Sequence, residues 1–389
     1  MNKKRKKVVV IFGTRPEAIK LAPVIRELKS NESIFQTFVC ATGQHKEMLA
    51  QMMEEFQITA DYSLDIMKKN QSLFYITAKT LSGFERVISE VEPDIVLVQG
   101  DTTTSLTGAL AAYYAKVTIG HVEAGLRTHD KYNPYPEEKN RHLISVLADY
   151  HFAPTDWARS NLEHEGVSAD RIWVTGNTAI DSLLHMKNRQ NDNTDEQCLI
   201  DFFSSQWDLD FSLKNQRTVL VTAHRRESFG RGLQEICFAL LEIARTYPDI
   251  RIVYPVHFNP NVQKVVYEML QTDRYSNIFL LPPLEYSAFV FLMTKSYIIL
   301  TDSGGIQEEA PSLNIPVLVM RDATERPEGI QAGTSLLVGT DAQTIFQSVE
   351  SLISKQTVYE RMAGVKNPYG DGKASERIVK ILQKQLGAV

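Results

Sequence analysis

Two short segments combine basic, acidic and glycine residues where an apolar, strand-like run gives way to a helical pattern. They are residues 12–20, which contain Arg15 and Lys20, and residues 301–309. The N-terminal end of a helix offers free N–H groups and the positive end of the helix dipole, so each segment is predicted to attract an anion. The two cations in the first segment indicate a phosphorylated ligand.

Three carboxylates in the first half of the chain are candidates for acid/base chemistry. Asp101 and Glu123 each follow a predicted strand, and Glu137 opens a predicted helix. Asp101 and Glu137 each have a structural alternative, because Asp is a good helix N-cap and an acidic residue suits a first helical turn. Glu123, beside Ala-Gly at a strand end, has no obvious structural task. Crowding and burial tune the pKa values of neighbouring carboxyls apart, which is what proton transfer requires.

The second half supplies groups suited to a phosphate. His224 is followed by two arginines, and a histidine either donates to phosphate or moves a proton near neutral pH. Ser303, Gly304 and Gly305 would present backbone amides, and Glu309 lies one to two turns further along.

Strand-like and helix-like segments alternate along the chain, and the strands are apolar on both faces, which is typical of a buried parallel sheet. In such sheets ligands bind beyond the carboxyl ends of the strands, where these candidate residues lie. The predicted strands are 8–12, 37–41, 95–99, 118–121, 151–153, 172–175, 219–222, 252–255, 278–281, 297–300, 317–320 and 336–338, and the clearest helices are 18–30, 73–91, 103–115, 136–148 and 374–386.

A chain of 389 residues exceeds one ordinary hydrophobic core, so two domains are expected. The alternation breaks between residues 186 and 217, which we interpret as the crossing between them. We therefore predict an α/β protein of two doubly wound, Rossmann-like domains: residues 1–185, with a C-terminal helix in 370–389 that packs back on them by analogy with similar proteins, and residues 186–369.

Composition argues against several classes of function. The 42 basic and 47 acidic residues give a net charge of −5, which is unlike a nucleic-acid-binding protein. The apolar run after the basic N-terminus is too short for a signal peptide, and no stretch is long enough to span a membrane. Three widely spaced cysteines form neither a disulfide framework nor a zinc motif, so a cytoplasmic protein without a metal is expected.

The motifs, read in order, resemble one family over nearly the whole chain: the non-hydrolysing bacterial UDP-N-acetylglucosamine 2-epimerases. The resemblance implies the GT-B architecture, with the active site in a cleft between the domains, and a homodimer. It implies reversible conversion of UDP-GlcNAc to UDP-ManNAc for polysaccharide biosynthesis, through elimination of UDP to 2-acetamidoglucal and its re-addition, with no cofactor. The matching segments are 13–17, 100–103, 121–127, 224–227, 302–309 and 324–328.

The resemblance also assigns roles to individual residues. It implies an acid/base set of Asp101, Glu123 and Glu137, with His224 also in the active site beside the diphosphate. Substrate contacts would come from Arg15 and Lys20 (diphosphate), Ser303, Gly304 and Gly305 (phosphate), Glu309 (ribose), Arg326 (nucleotide or sugar) and Phe289 (uracil). Leu284 stands where some relatives have Gln near the uracil.

A second, allosteric UDP-GlcNAc site is implied at Gln44, Gln71 and His257. Glu47 and Asn70 stand there where some relatives have Gln and Arg, which would weaken phosphate contacts.

Alternatives remain open. A GT-B glycosyltransferase would use the same nucleotide sugar with an acceptor, a hydrolysing epimerase would release ManNAc and UDP, and a nucleotide-sugar sensor would lack the acid/base set.

Overall fold

The computed structural model describes residues 5–43, 46–68, 71–212, 216–271 and 274–387. The chain divides into two compact units, one formed by Met1–Ser182 with Tyr369–Val389 and the other by Leu183–Pro368. Within the described residues, no helix has the length and apolar character needed to cross a bilayer.

The first unit alternates strands and helices around one parallel sheet. Its strands are β1 (Lys6–Phe12), β2 (Phe35–Ala41), β3 (Tyr62–Ser63), β4 (Ile95–Gln99), β5 (Thr118–Val122), β6 (Tyr150–Ala153) and β7 (Ile172–Val174). Its helices are α1 (Arg15–Ser30), α2 (Lys46–Glu55), α3 (Leu73–Val91), α4 (Thr103–Tyr114), α5 (Glu137–Leu147), α6 (Asp156–His164) and the start of α7 (Thr178–Gln190). The described strands run in the order β3-β2-β1-β4-β5-β6-β7.

The centre of this sheet is built from branched apolar residues. Val8 to Phe12 of β1 are wholly buried, and Val10 pairs with Val39 of β2 on one side and Leu97 of β4 on the other. Each such side chain contributes about 1.5–3 kcal/mol by leaving water. The burial of both faces explains why these strands are continuous apolar runs rather than alternating ones.

The second unit repeats the plan. Its helices are the end of α7 and then α8 (Asn193–Trp207), α9 (Arg231–Thr246), α10 (Pro260–Leu270), α11 (Tyr286–Thr294), α12 (Gly304–Glu309), α13 (Pro327–Ala332), α14 (Ala342–Ser354) and α15 (Gln356–Ala363). Its strands are β8 (Thr218–Thr222), β9 (Arg251–Pro255), β10 (Ile278–Leu281), β11 (Ile298–Thr301), β12 (Val317–Val319) and β13 (Ser335–Leu337). Among described residues they form a parallel sheet in the order β10-β9-β8-β11-β12-β13.

The strand order reverses direction once in each sheet. In the first sheet β2 and β3 are added on one side of β1, and β4 and the later strands are added on its other side. In the second sheet β9 and β10 lie on one side of β8, and β11 and the later strands lie on the other. Loops at such a switch point diverge and leave a crevice at the carboxyl ends of the strands. The predicted class, two doubly wound Rossmann-like α/β domains, is confirmed.

The C-terminal helix α16 (Ala374–Gln385) belongs to the first unit and packs against α1. Its first turn is held by buried Asp181, whose carboxylate accepts from the backbone N–H groups of Ala374 (3.1 Å) and Ser375 (2.8 Å). The break in alternation predicted for 186–217 contains α8, which follows α7 with no strand described between them.

Candidate active site

The loop after β1 is tied to the loop after β4 by one buried carboxylate. Glu17 accepts from the N–H groups of Gly13 (3.0 Å) and Thr14 (2.7 Å), and from the hydroxyls of Thr102 (2.7 Å) and Ser105 (2.8 Å). Burial raises the pKa of Glu17, and these four donors oppose that rise. The amides of Gly13 and Thr14, which the sequence suggested for an anion, are therefore occupied by the protein itself.

Glu123 lies just past β5 and is surrounded by donors. Its backbone adopts the left-handed region (φ 64°), which few residues other than glycine occupy. One carboxylate oxygen accepts from the ammonium of Lys20 and from Asn177 Nδ2 (3.1 Å), and the other accepts from Gln99 Nε2. An ammonium and two amide donors therefore surround both oxygens, and such donors favour the ionised form of a carboxyl group.

Asp101 does not cap the helix that follows it. Thr102 caps α4, with its hydroxyl accepting from Ser105 N–H at 3.1 Å. The Asp101 carboxylate instead accepts from Arg141 Nε at 2.7 Å, and Asn140 holds its main-chain carbonyl at 2.8 Å. The structural alternative raised for Asp101 is therefore wrong, and its carboxylate is anchored beside a guanidinium.

Glu137 and Glu138 begin α5 but have different surroundings. Buried Glu138 accepts from the N–H groups of Thr128 and His129, each at 3.0 Å, and from Arg141 Nη1 at 3.0 Å. Glu137 is half-buried, and its pKa is raised by that burial and by the negative charge of Asp101. Glu137 is thus the carboxyl of this pair that keeps its proton to higher pH.

His121 is wholly buried in β5. Its Nε2 lies 2.7 Å from the carbonyl of Gly100, whose φ of 68° turns the chain after β4. Burial lowers the pKa of His121 to about 3, so the ring is neutral and positions the loop that carries Asp101.

In the second unit one carboxylate again joins the two loops at the switch point. Asp302, wholly buried after β11, accepts from the N–H groups of His224 (2.6 Å) and Arg225 (2.7 Å) after β8. Its other oxygen lies 3.3 Å from His224 Nδ1. Burial lowers the pKa of His224 against the opposing effect of Asp302, and the ring of His257 stacks on it at 5.1 Å between centroids.

The start of α12 is packed against an arginine. A Cβ on Gly304 would lie 2.8 Å from the guanidinium carbon of Arg326, while one on Gly305 would meet open space. Arg326 is itself bound by Glu308 (2.9 Å) and Glu325 (2.7 Å). In a helix the first-turn amides, here those of Gly304 and Gly305, have no acceptor within the helix. The N–H of Ser303, which the sequence also suggested for phosphate, instead donates to Thr301 Oγ1 at 3.0 Å.

The remaining predicted residues are placed more simply. Arg15 is partly exposed at the first position of α1. Phe289 is partly buried on α11, and Glu309 ends α12. Of the predicted second site, Gln44 lies outside the described residues, Gln71 precedes α3 and His257 follows β9.

The comparisons with known proteins fit this geometry. Residues 26–383 match the family described as UDP-N-acetylglucosamine 2-epimerase. The chain belongs to that family. A UDP-N-acetylglucosamine 2-epimerase of Yersinia pestis is 50% identical over 378 residues, which cover 97% of this chain and 98% of the relative.

Solved structures of family members extend the match to the fold. The epimerase from Neisseria meningitidis bound to UDP-GlcNAc is 49% identical, with a TM-score of 0.89 over 97% of this chain and all of that one. The Methanocaldococcus jannaschii enzyme in complex with UDP-GlcNAc and UDP is 35% identical, with a TM-score of 0.79 over 97% of this chain and 99% of that one. The GT-B-like class predicted from the family resemblance is confirmed.

Several residues that organise this family member's candidate site were missed from sequence. They have in common that each holds in place a candidate residue or the loop that carries one: Glu17, Gln99, Arg141, Asn177 and Asp302. Glu17 had a local signal, because Thr14 and Glu17 have the spacing of a capping box. The others act between residues distant in sequence, which spacing does not reveal.

Proposed function

We propose that this protein interconverts UDP-GlcNAc and UDP-ManNAc reversibly, without releasing the free sugar. The observation that carries the proposal is the pairing of Asp101, a carboxylate held by Arg141, with Glu137, whose pKa is raised by burial and by the Asp101 charge. One carboxyl group anchored beside a guanidinium and a second with a raised pKa are suited to removing a proton and returning one.

The chemistry explains why elimination is the preferred route. The proton on the acetamido-bearing carbon is weakly acidic, so its direct removal would leave an unstabilised carbanion. If the bond from the anomeric carbon to UDP breaks as that proton leaves, the electron pair of the C–H bond forms the double bond of 2-acetamidoglucal. UDP then departs with the C–O electron pair. Re-addition of UDP, with a proton delivered to the opposite face, yields the epimer.

We assign the proton transfers to the first unit. Asp101 acts as the base and Glu137 as the acid in one direction, and they exchange roles in the other. Glu123 completes the acid/base set as a carboxylate and orients the ammonium of Lys20. Lys20 and Arg15 are assigned to the departing diphosphate, because cations stabilise the charge that develops there.

We assign nucleotide contacts to the second unit. His224 meets the diphosphate, and Glu309 binds the ribose. The turn formed by Ser303, Gly304 and Gly305 binds phosphate, with the amides of the two glycines as donors, because the Ser303 N–H already donates to Thr301. Phe289 packs on the uracil, next to Leu284, and Arg326 serves the nucleotide by fixing the start of α12 against Gly304. The UDP-GlcNAc bound to the Neisseria meningitidis relative supports this ligand class.

The test is proton NMR of UDP-GlcNAc incubated with the pure protein and no acceptor. Interconversion predicts a mixture of UDP-GlcNAc and UDP-ManNAc approached from either side, without net loss of nucleotide sugar. Accumulation of UDP and free ManNAc would identify a hydrolysing enzyme. No reaction until an acceptor is added would identify a transferase and overturn the proposal.

We also propose that Gln71 and His257, with Gln44, belong to a second UDP-GlcNAc site. The supporting observation is that exposed His257 stacks on His224, so a ligand at His257 would act on a residue assigned to catalysis. Sigmoidal dependence of rate on UDP-GlcNAc, flattened in His257→Ala, is expected. Hyperbolic wild-type kinetics, with full reverse activity on UDP-ManNAc alone, would contradict it.

The family resemblance further leads us to propose a homodimer that acts in the cytoplasm and feeds polysaccharide biosynthesis. Sedimentation of the purified protein tests the dimer directly: a monomer at working concentration would contradict it.

A further inference from the structure

The chain re-enters the first unit at Tyr369 and packs closely against the loop after β7. The carbonyl of Tyr369 accepts from Asn177 N–H at 2.7 Å. A Cβ on Gly370 would lie 3.4 Å from that nitrogen, and one on Gly176 would lie 3.4 Å from Gly370 Cα. Both glycines have positive φ, 147° and 91°, which side chains rarely adopt, and an added Cβ at either would touch the facing backbone.

This return segment is anchored on its far side. Asp181 holds the first turn of α16 through Ala374 and Ser375, and Arg377 Nη1 donates to the carbonyl of Thr175 at 3.0 Å. Residues 175–177 are therefore bonded to the returning chain at more than one point.

The side chain of Asn177 bonds to different partners from those of its backbone N–H. Its Oδ1 accepts from Ala179 N–H at 3.0 Å, which caps the start of α7, while its Nδ2 donates to Glu123 at 3.1 Å. The residue is only 2% exposed, so water does not replace either bond. One residue thus joins the returning chain, a helix start and a carboxylate of the candidate site.

We propose that Asn177 is a positioning residue, which orients the Glu123 carboxylate and transmits to it the position of the return segment at Tyr369 and Gly370. The inference rests on the proposed function for its catalytic consequence. Its structural content is independent of that function, because it concerns how Glu123 is held.

The charges around Glu123 decide what loss of Asn177 would do. Lys20 faces the carboxylate from α1, and His121 faces it from β5 as a neutral ring. Lys20 favours the ionised carboxylate whether or not Asn177 is present. Removing the amide donor removes one of the groups that stabilise the charge, so the pKa of Glu123 is expected to rise.

The first experiment compares Asn177→Ser with Asp341→Ser. Serine keeps an oxygen that caps a helix but is too short to reach Glu123, and Asp341 caps α14 with no such carboxylate. We expect kcat to fall about 100-fold in Asn177→Ser with KM little changed, because the carboxylate is misplaced rather than removed. The acid limb of its pH–rate profile should move up by about one unit. Asp341→Ser should show neither change.

A readout that needs no turnover is the ¹³C titration of labelled Glu carboxyls, with the Glu123 signal assigned by its loss in Glu123→Gln. The proposal requires that signal to titrate at higher pH in Asn177→Ser. If wild type shows no epimerisation, the proposed function fails, while this titration still decides the inference.

Transmission from the return segment is tested by Gly370→Ala, with Gly166→Ala as the matched control. Both glycines have positive φ, but a Cβ on Gly166 meets nothing within 4 Å. Gly370→Ala is expected to shift the Glu123 titration in the same direction, and Gly166→Ala to leave it in place. An unchanged Glu123 titration and pH profile in Asn177→Ser would overturn the proposal, and an unchanged titration in Gly370→Ala would overturn its transmission part.

Discussion

Adjacent glutamates at the start of α5 show how neighbours in sequence separate into different tasks. Glu138 is buried and holds the 128–129 turn to α5. Burial alone would raise its pKa, but the N–H donors of Thr128 and His129 and the charge of Arg141 lower it overall. The pKa of Glu137 is raised instead. Glu138 is therefore a fixed anion that shapes the site, and Glu137 is the group to which we assign proton exchange.

We expect Glu137→Gln to lose about 100- to 10,000-fold in turnover, the usual effect of removing a general acid or base, with little loss of stability. Glu138→Gln is the matched variant at the next position. It should lower the free energy of unfolding by about 2–3 kcal/mol, because a buried anion that accepts from two backbone N–H groups and from Arg141 is replaced by an amide. Steady-state rates and urea unfolding of both proteins provide the check.

Normal turnover in Glu137→Gln would remove that residue from the acid/base set. A Glu138→Gln protein as stable as wild type would show that its contacts with Thr128 and His129 contribute little.

At the scale of elements, the apolar runs predicted most of the sheets because both faces of each strand are buried. The helix Leu73–Val91 was predicted to the residue, while β3, with only Tyr62 and Ser63, is too short for periodicity to show. The anion sites were harder. The sequence indicated free amides after β1, but the carboxylate of Glu17 accepts hydrogen bonds from two of them. The same carboxylate also accepts from Thr102 and Ser105, which lie 85 and 88 residues further along the chain. Long-range hydrogen bonds of this kind leave no periodic signal.

The segment before α13 gives an element-scale test with a defined pH dependence. Burial alone would raise the pKa of Glu325, but Arg326 and Arg321 lower it from 4.5 to about 2. Between these two pKa values Glu325 binds a proton when the protein unfolds. The stability that Glu325 contributes is therefore present above pH 4.5 and is lost as the pH falls towards 2. The full contribution of Glu325 to the free energy of unfolding is at most about 3 kcal/mol.

The difference in free energy of unfolding between wild type and Glu325→Gln, measured by urea unfolding, should decrease by about 1 kcal/mol as the pH falls from roughly 6 to 4. Glu32→Gln, at an exposed position, is the control and should show no such decrease. A difference in free energy of unfolding that does not change with pH would mean that Glu325 is not held ionised by the two arginines.

Across the whole molecule, each unit uses the same internal plan. A buried carboxylate joins the two loops at the switch point, Glu17 in the first unit and Asp302 in the second. Candidate reactive groups then project from loops that are already fixed, so little ordering is needed when a ligand binds. The first unit concentrates carboxylates and the second offers histidine and first-turn amides, which fits a division between proton transfer and phosphate binding.

We propose that the protein removes the proton from the acetamido-bearing carbon of UDP-GlcNAc and later returns one. The most direct test is incubation in deuterated water, with the product analysed by NMR and mass spectrometry. Our account predicts UDP-ManNAc that carries deuterium at that carbon, formed at a rate that Asp101→Asn lowers about 100-fold or more. UDP-ManNAc formed at the full rate without deuterium would contradict it.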